Sequence, residues 1–277
     1  MKWLLALAVL AGALMGPAAS PVAAADDIPR KGADASWPNC PKGMGIPSRK
    51  TKGLPMPTKR AQFVILGLTN GPGFYPNPCI ARQVKWVKQR KLHIGTYAMT
   101  TFPKRKQITA YGEQGPWPAT TFRNQLRNTG YAQARFNVQT MDRVGLDSEF
   151  MWVDVEPYPV APWTSNRKNN KAVLDGVLRG YRDAGLGVGF YTSPGPWADI
   201  IGTARYGLPE WRTAGGHPWS DTDFSDSRRM CRVSSVQGGP ILVAQWWDTV
   251  RDHDLLCPRA RTSAWVDRLF ITPQEYA

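Results

Sequence analysis

Histidine is scarce in this chain. There are three in 277 residues, His93, His217 and His253, and no spacing puts two of them on one metal. Cysteine is nearly as sparse: Cys40, Cys79, Cys231 and Cys257, none of them in a C-x-x-C, so a structural zinc site is not expected. No Gly-x-Gly-x-x-Gly and no Walker loop occurs, which disfavours a nucleotide-binding open sheet. Gly-x-Ser-x-Gly is also missing. Thr192-Ser193-Pro194-Gly195 lacks the first glycine, so a serine hydrolase is not expected. Neither a cofactor nor a bound metal is expected from what remains. There is no internal repeat and no Ser/Gly linker, which favours one large domain over two.

Acids are few as well, 21 Asp and Glu against 35 Lys and Arg, for a net charge of +14. The N-terminus suggests where such a charge would act. Lys2 precedes the apolar run Trp3 to Met15, and Ala23 and Ala25 supply small residues for cleavage. Residues 1–25 therefore read as a signal peptide and 26–277 as the exported domain, secreted or associated with a cell wall. No second apolar run follows, so no stable membrane span is expected after cleavage. For an exported protein the partners of a basic surface are anionic polymers or membrane surfaces, not nucleic acid. An even cysteine count in that compartment suggests disulfides, not a cysteine nucleophile. Of the three possible pairings, Cys40–Cys79 and Cys231–Cys257 close the shorter loops and are expected. A monomer is expected.

Along the chain, strand-like and helical runs alternate. Gly32 to Pro38 is a short extended segment. Gln62 to Thr69 is a near-continuous apolar run, of the kind that suits a parallel strand buried on both faces. Helical spacing follows over Pro78–Lys91, then a strand over His93–Met99. Thr120 or Thr121 could cap a helix running to about Gly145, broken near Gly130. A further helix is expected over about 170–184, a strand over Gly187–Thr192 and a short helix over Pro196–Gly202. Leu208–Thr213 reads as a weak strand, 214–238 as a polar excursion, and Ile241–Trp247 as the last strong strand. Such alternation means βαβ units, and the expected fold is α/β: a single irregular β/α (TIM-like) barrel. Basic loops at 38–60, 103–118 and 157–171 each follow a strand. All three should rise from the face that carries the C-terminal strand ends, as a positive rim suited to a long anionic glycan.

Met151-Trp152-Val153-Asp154-Val155-Glu156-Pro157 is the most informative stretch. It reads as a buried strand that ends in two carboxylates, and side chains two apart share a face. Two acids side by side repel, and burial raises the pKa of at least one. Folds tolerate that mainly where chemistry uses it, as in glycoside hydrolysis. Asp34, near the end of the first strand, and Asp248, Asp252 and Asp254, after the last, are expected at the same face. A chitinase-like Asp-x-x-Asp-x-Asp-x-Glu is not present, because Glu149 and Trp152 occupy the two earlier acid positions.

Taken in order, these segments resemble glycoside hydrolase family 25, the lysozyme-type muramidases. Gly32-Ala33-Asp34-Ala35-Ser36 is similar to that family's opening strand, and Phe63 to Leu66 with Tyr75 to Pro78 to its second strand and helix entry. Gly95-Thr96-Tyr97 is similar to its third strand and Trp152 to Glu156 to its Asp-x-Glu. Gly189 to Ser193 resembles the following strand. Gln245-Trp246-Trp247 with Asp252-His253-Asp254-Leu255 resembles the closing segment, without its tyrosine after Trp-Gln. The likeness spans nearly all of 26–277 and looks nearest to divergent exported actinobacterial members. It implies a secreted barrel that cleaves the β-1,4 bond between N-acetylmuramic acid and N-acetylglucosamine of peptidoglycan. Glu156 would be the general acid. Asp154 would stabilise developing charge or orient the acetamido group. Asp34 and Asp252 would support them, with Asp254 an alternative to Asp252 and a substrate contact. Tyr97 and Tyr191 would line the floor, and Trp37 and Trp246 would offer indole faces to sugar rings. The alternative is a barrel that binds anionic wall glycopolymers without cutting them.

Overall fold

The computed structural model describes residues 28–71, 73–159, 161–216 and 224–276. The expected signal peptide, residues 1–25, lies outside them, as does part of the 214–238 excursion. Eight strands close into a barrel: β1 (Lys31–Ala35), β2 (Phe63–Gly67), β3 (His93–Met99), β4 (Phe150–Asp154), β5 (Gly187–Thr192), β6 (Glu210–Gly216), β7 (Ile241–Trp247) and β8 (Asp252–Leu256). Strands β1 to β7 run parallel, each beside the next. Strand β8 is antiparallel to both its neighbours, β7 and β1. The expected α/β barrel is the fold observed, and its irregularity is this one reversed strand.

Two strands differ from their sequence reading. The weak strand at 208–213 is the full barrel strand β6. The acids at 252 and 254 lie on β8, not in a trailing loop. Asp252-His253-Asp254 hides the apolar alternation that would have marked a strand, and its pairing partner β7 supplies the order instead. Because β8 runs backwards, its first residues share the mouth of the barrel with the last residues of β1 to β7.

The helices are α1 (Ile80–Lys88), α2 (Arg105–Tyr111), α3 (Phe122–Val144), α4 (Arg167–Asp183), α5 (Pro194–Ile200), α6 (Ser225–Met230) and α7 (Ser263–Leu269). The basic stretch at 103–118 is thus partly helical. Thr121 caps α3, its hydroxyl accepting from the Asn124 N–H at 3.2 Å. The helix is unbroken at Gly130, because glycine there lets α4 approach: a Cβ would come within 2.1 Å of the Val173 carbonyl oxygen. Gly176 does the same from α4, where a Cβ would meet the Arg127 carbonyl oxygen at 1.9 Å. These glycines serve contact between helices and do not mark an end. The sequence reading did not find α7. Together with Phe270 it closes the bottom of the barrel, Phe270 packing on Phe63 at 4.9 Å between ring centroids.

Strands buried on both faces produce the near-continuous apolar runs seen in the sequence. Outward residues such as Val64, Leu66, Val153 and Val188 join α1 and α4 through Val84, Val87, Leu174 and Leu178. Inward residues form an aromatic plug. Phe150 meets Trp152 at 4.9 Å, and Trp152 meets Trp211 at 6.1 Å. The plug is a packed core that carries a floor for the mouth, each such side chain contributing on the order of 1.5–3 kcal/mol by burial. The two disulfides are Cys40–Cys79 and Cys231–Cys257, the expected local pairs. The first ties the segment after β1 to the start of α1, and the second ties the end of α6 to the end of β8.

Candidate active site

Two carboxylates leave β4 at the mouth. The strand stays pinned past its last ladder residue: Thr100 donates its N–H to the Asp154 carbonyl at 2.9 Å, and Val155 donates to the Tyr191 carbonyl at 2.9 Å. The Thr192 hydroxyl then donates to the Val155 carbonyl at 2.9 Å. Glu156 follows immediately, and its own carbonyl accepts from the Trp163 indole N–H at 3.1 Å. Strand parity therefore carries through Asp154 to Glu156, and both side chains face one cleft of about 350 Å³. Asp154 is buried and Glu156 half-buried, so Glu156 is the member within reach of a ligand.

Other strands add to the same cleft. Asp34 comes from β1 and Asp252 from the start of the reversed β8. Gln245 on β7 donates its amide N–H to Asp34 Oδ2 at 2.7 Å and accepts from the Tyr191 hydroxyl at 2.8 Å. That relay fixes three side chains from three strands. Tyr97 and Tyr191 lie in the cleft above Trp211, with ring centroids 5.7 and 4.7 Å from it. Trp37 stands on the side wall.

The structure thus brings together Glu156, Asp154, Asp34, Asp252, Tyr97, Tyr191 and Trp37. It does not bring Trp246 or Asp254 there. On β7, Gln245 and Trp247 point inward, so Trp246 points outward, stacked on His253 at 4.1 Å. Asp254 lies below the floor, because β8 descends from Asp252 into the barrel. It is fully buried and accepts from the Trp211 indole N–H at 2.9 Å. Gln245, Trp247, Tyr158 and Arg49 line the cleft without having been foreseen. Trp247 is 39 % exposed, which leaves its indole free to meet a sugar, as Trp246 cannot. Parity along β7 was the available signal for Gln245 and Trp247.

The expected positive rim is one-sided. The segment after β1 forms a small hairpin, Gly45–Ile46 with Arg49–Lys50. It holds the Arg49 guanidinium 4.7 Å from the Tyr158 ring and 5.6 Å from the Trp37 ring, with Nε donating to the Tyr158 hydroxyl at 2.9 Å. Among the described residues, Arg49 is the one base lining the cleft. Bases of 103–118 are not among its lining residues. The 38–60 segment walls the cleft and does not fill it.

Burial and crowding set the protonation of the acids. Burial pushes Glu156 up to about 7, with Asp252 adding to the push. Burial also raises Asp252 to about 6; Asp248 adds to this and Lys52 opposes it. Asp154 is raised well above the ordinary carboxylate range by burial and by Glu156 beside it. Asp34 is raised by burial, then by Asp252 and Asp254, while its bond from Gln245 works the other way. Such a cluster holds protons near neutral pH and can deliver one to a bound oxygen. Among the described residues, no group of three or more His, Cys, Asp or Glu is arranged to hold a metal ion.

Known proteins share features of this chain. A family model described as Lysozyme-like protein 1 matches residues 120–226, the part that contains β4. Over 58 residues, 21 % of the chain, it is 38 % identical to a probable family 25 glycoside hydrolase, lysozyme 5 of Dictyostelium discoideum; the match spans only 26 % of that relative's length. The barrel is similar to a muramidase from Acremonium alcalophilum at a TM-score of 0.52 and 14 % identity, covering 86 % of this chain and 99 % of that one. For a family 25 lysozyme from Aspergillus fumigatus the values are 0.52 and 15 %, covering 87 % and 98 %. For a lysozyme from Streptomyces coelicolor they are 0.53 and 15 %, also covering 87 % and 98 %. At these identities the likeness is one of fold: the chain has the barrel fold of family 25 lysozymes.

Proposed function

We propose that the cleft is the active site of a glycoside hydrolase acting on peptidoglycan, at the β-1,4 bond between N-acetylmuramic acid and N-acetylglucosamine. The observation that carries this reading is Glu156, half-buried at the end of β4 and raised to about 7, with buried Asp154 two residues before it. Like charges so close cannot both ionise, so the pair shares a proton near neutral pH. In the reactive form the shared proton sits on Glu156, the member within reach of a ligand, and Asp154 is the anion. Glu156 gives the proton to the glycosidic oxygen as the bond to the anomeric carbon breaks, and the leaving sugar departs as an alcohol. Asp154 stabilises the positive charge developing at that carbon, or orients the acetamido group that does so. Water then completes the hemiacetal, and its proton returns to a carboxylate of the site.

Asp34 and Asp252 keep the cluster protonated, and the Gln245 relay positions Asp34 against Tyr191. Arg49 supports the choice of an acidic sugar. It is the cation of the cleft wall, suited to the lactyl carboxylate of muramic acid. Trp247 and Trp37 offer faces to neighbouring rings. Two disulfides fit an exported protein. The open cleft favours cutting over binding alone. The test is to incubate purified protein with peptidoglycan and measure new reducing ends and released muropeptides. Wild type should release them and Glu156→Gln should not; equal release by both would overturn the reading.

A further inference from the structure

The bottom of the barrel carries a groove of about 600 Å³ with the opposite electrostatic character. It lies where β7 begins and β8 ends, away from the cleft. Arg228, Arg232, Arg259 and Arg261 line it, and among the described residues no Asp or Glu does. Arg228 is already engaged within the fold. Arg232, Arg259 and Arg261 have no acidic partner among the described residues.

The arrangement is built and braced. Cys231 and Cys257 are disulfide-bonded at a Cα–Cα distance of 5.5 Å. Arg232 follows the first cysteine directly, and Pro258-Arg259-Ala260-Arg261 follows the second. The bridge therefore holds two arginine-bearing segments side by side. Arg261 is fixed further, donating from Nε to the Leu256 carbonyl at 2.8 Å. Arg30, just before β1, sits close enough to act on it: burial, then the Arg30 charge, lowers the Arg261 guanidinium below its ordinary value. Gathering like charges without counter-ions costs free energy that an arriving anion recovers.

We infer that this groove is a second binding site, for a linear polyanion of repeating phosphate groups, recognised by its charge and not by bases. Guanidinium forks suit phosphate oxygens. Among the described residues the lining contains no Phe, Tyr or Trp, so these offer no platform on which nucleic-acid bases could stack. It reads backbone charge alone. That such a polymer lies alongside the substrate in a cell wall rests on the proposed function; the site itself does not. A polymer held at the bottom leaves the cleft free, so the two sites would tether the protein while it works.

Binding of the purified protein to long-chain inorganic polyphosphate, followed by isothermal titration calorimetry, tests the inference. Wild type should lose roughly tenfold or more in affinity between about 50 and about 200 mM salt, as counter-ion release requires. The double variant Arg232→Glu, Arg259→Glu changes two exposed side chains and should bind about tenfold or more weakly at the lower salt. Arg259→Glu alone, the smaller change, should weaken binding in the same direction. Unchanged affinity in both variants would overturn the site. Tighter binding to single-stranded DNA than to polyphosphate of equal charge would also overturn it. Glu156→Gln should bind polyphosphate like wild type. If that variant hydrolyses peptidoglycan normally, the cleft reading fails and the groove stands; if the arginine variants bind normally, the groove fails and the cleft stands.

Discussion

The two ends of the barrel treat like charges in opposite ways. At the mouth, Asp34, Asp154, Glu156 and Asp252 are drawn into one cleft and partly or fully buried, so their repulsion appears as raised pKa values. At the bottom, Arg232 and Arg259 are exposed and Arg261 half-buried. Arginine scarcely deprotonates, so crowding there persists as positive potential. Buried acids can exchange protons with a reacting bond, whereas exposed guanidiniums can only attract and hold. A net charge of +14 conceals this division, since four of the 21 acids meet in the one cleft where the chemistry is proposed.

The comparison breaks most sharply at Glu156. Glu156→Gln should lower kcat by about 10²–10⁴-fold, the usual worth of a positioned proton donor. The bottom variant Arg232→Glu, Arg259→Glu should leave turnover of short soluble glycan fragments unchanged. If both variants lose activity equally, the two ends do not have separate roles.

Gln245→Leu comes next. It removes the partner of both Asp34, which is buried, and Tyr191, which is half-buried, and should cost about 1–3 kcal/mol in stability, with kcat down about tenfold. Arg49→Ala should mainly raise KM on muramic-acid substrates, by about tenfold, with kcat nearly kept, because a wall contact contributes uniform binding. Steady-state kinetics separates the two patterns.

The smallest effect is on stability against pH. Glu156, ordinarily near 4.5, is raised to about 7 in the fold, so the folded protein binds more protons than the unfolded chain between those values. This contribution is complete below the unfolded value and is lost as pH rises through about 7. The melting midpoint should therefore fall as pH rises across that window. Glu156→Gln should flatten the fall. A scanning-calorimetry series in which wild type gains stability across the same window would contradict the protonated cluster.

Much of the barrel is legible from residues. Phe63 to Leu66, His93 to Met99 and Ile241 to Trp247 are apolar enough on both faces to announce buried strands. Met151 to Glu156 announces a strand ending in acids. What was not legible depended on partners distant in sequence. Asp252-His253-Asp254 looks like a polar tail until β7 pairs with it, and only the reversed direction of β8 lifts Asp252 to the mouth while lowering Asp254 beneath it. Trp246 and Trp247 are adjacent, and parity alone decides which one faces a ligand. Gly130 reads as a helix breaker until the Val173 carbonyl is found against it. The bottom groove was invisible for the same reason: Arg232 and Arg259 line one groove where the Cys231–Cys257 disulfide joins their segments.

The most direct test of the central claim is the rate of reducing-end release from peptidoglycan by wild type and Glu156→Gln across pH. Wild-type activity should decline as pH rises through about 7, where Glu156 loses its proton, and the variant should be about 10²–10⁴-fold slower throughout. Equal rates for the two proteins, or a wild-type rate that climbs through that pH, would contradict Glu156 as the proton donor.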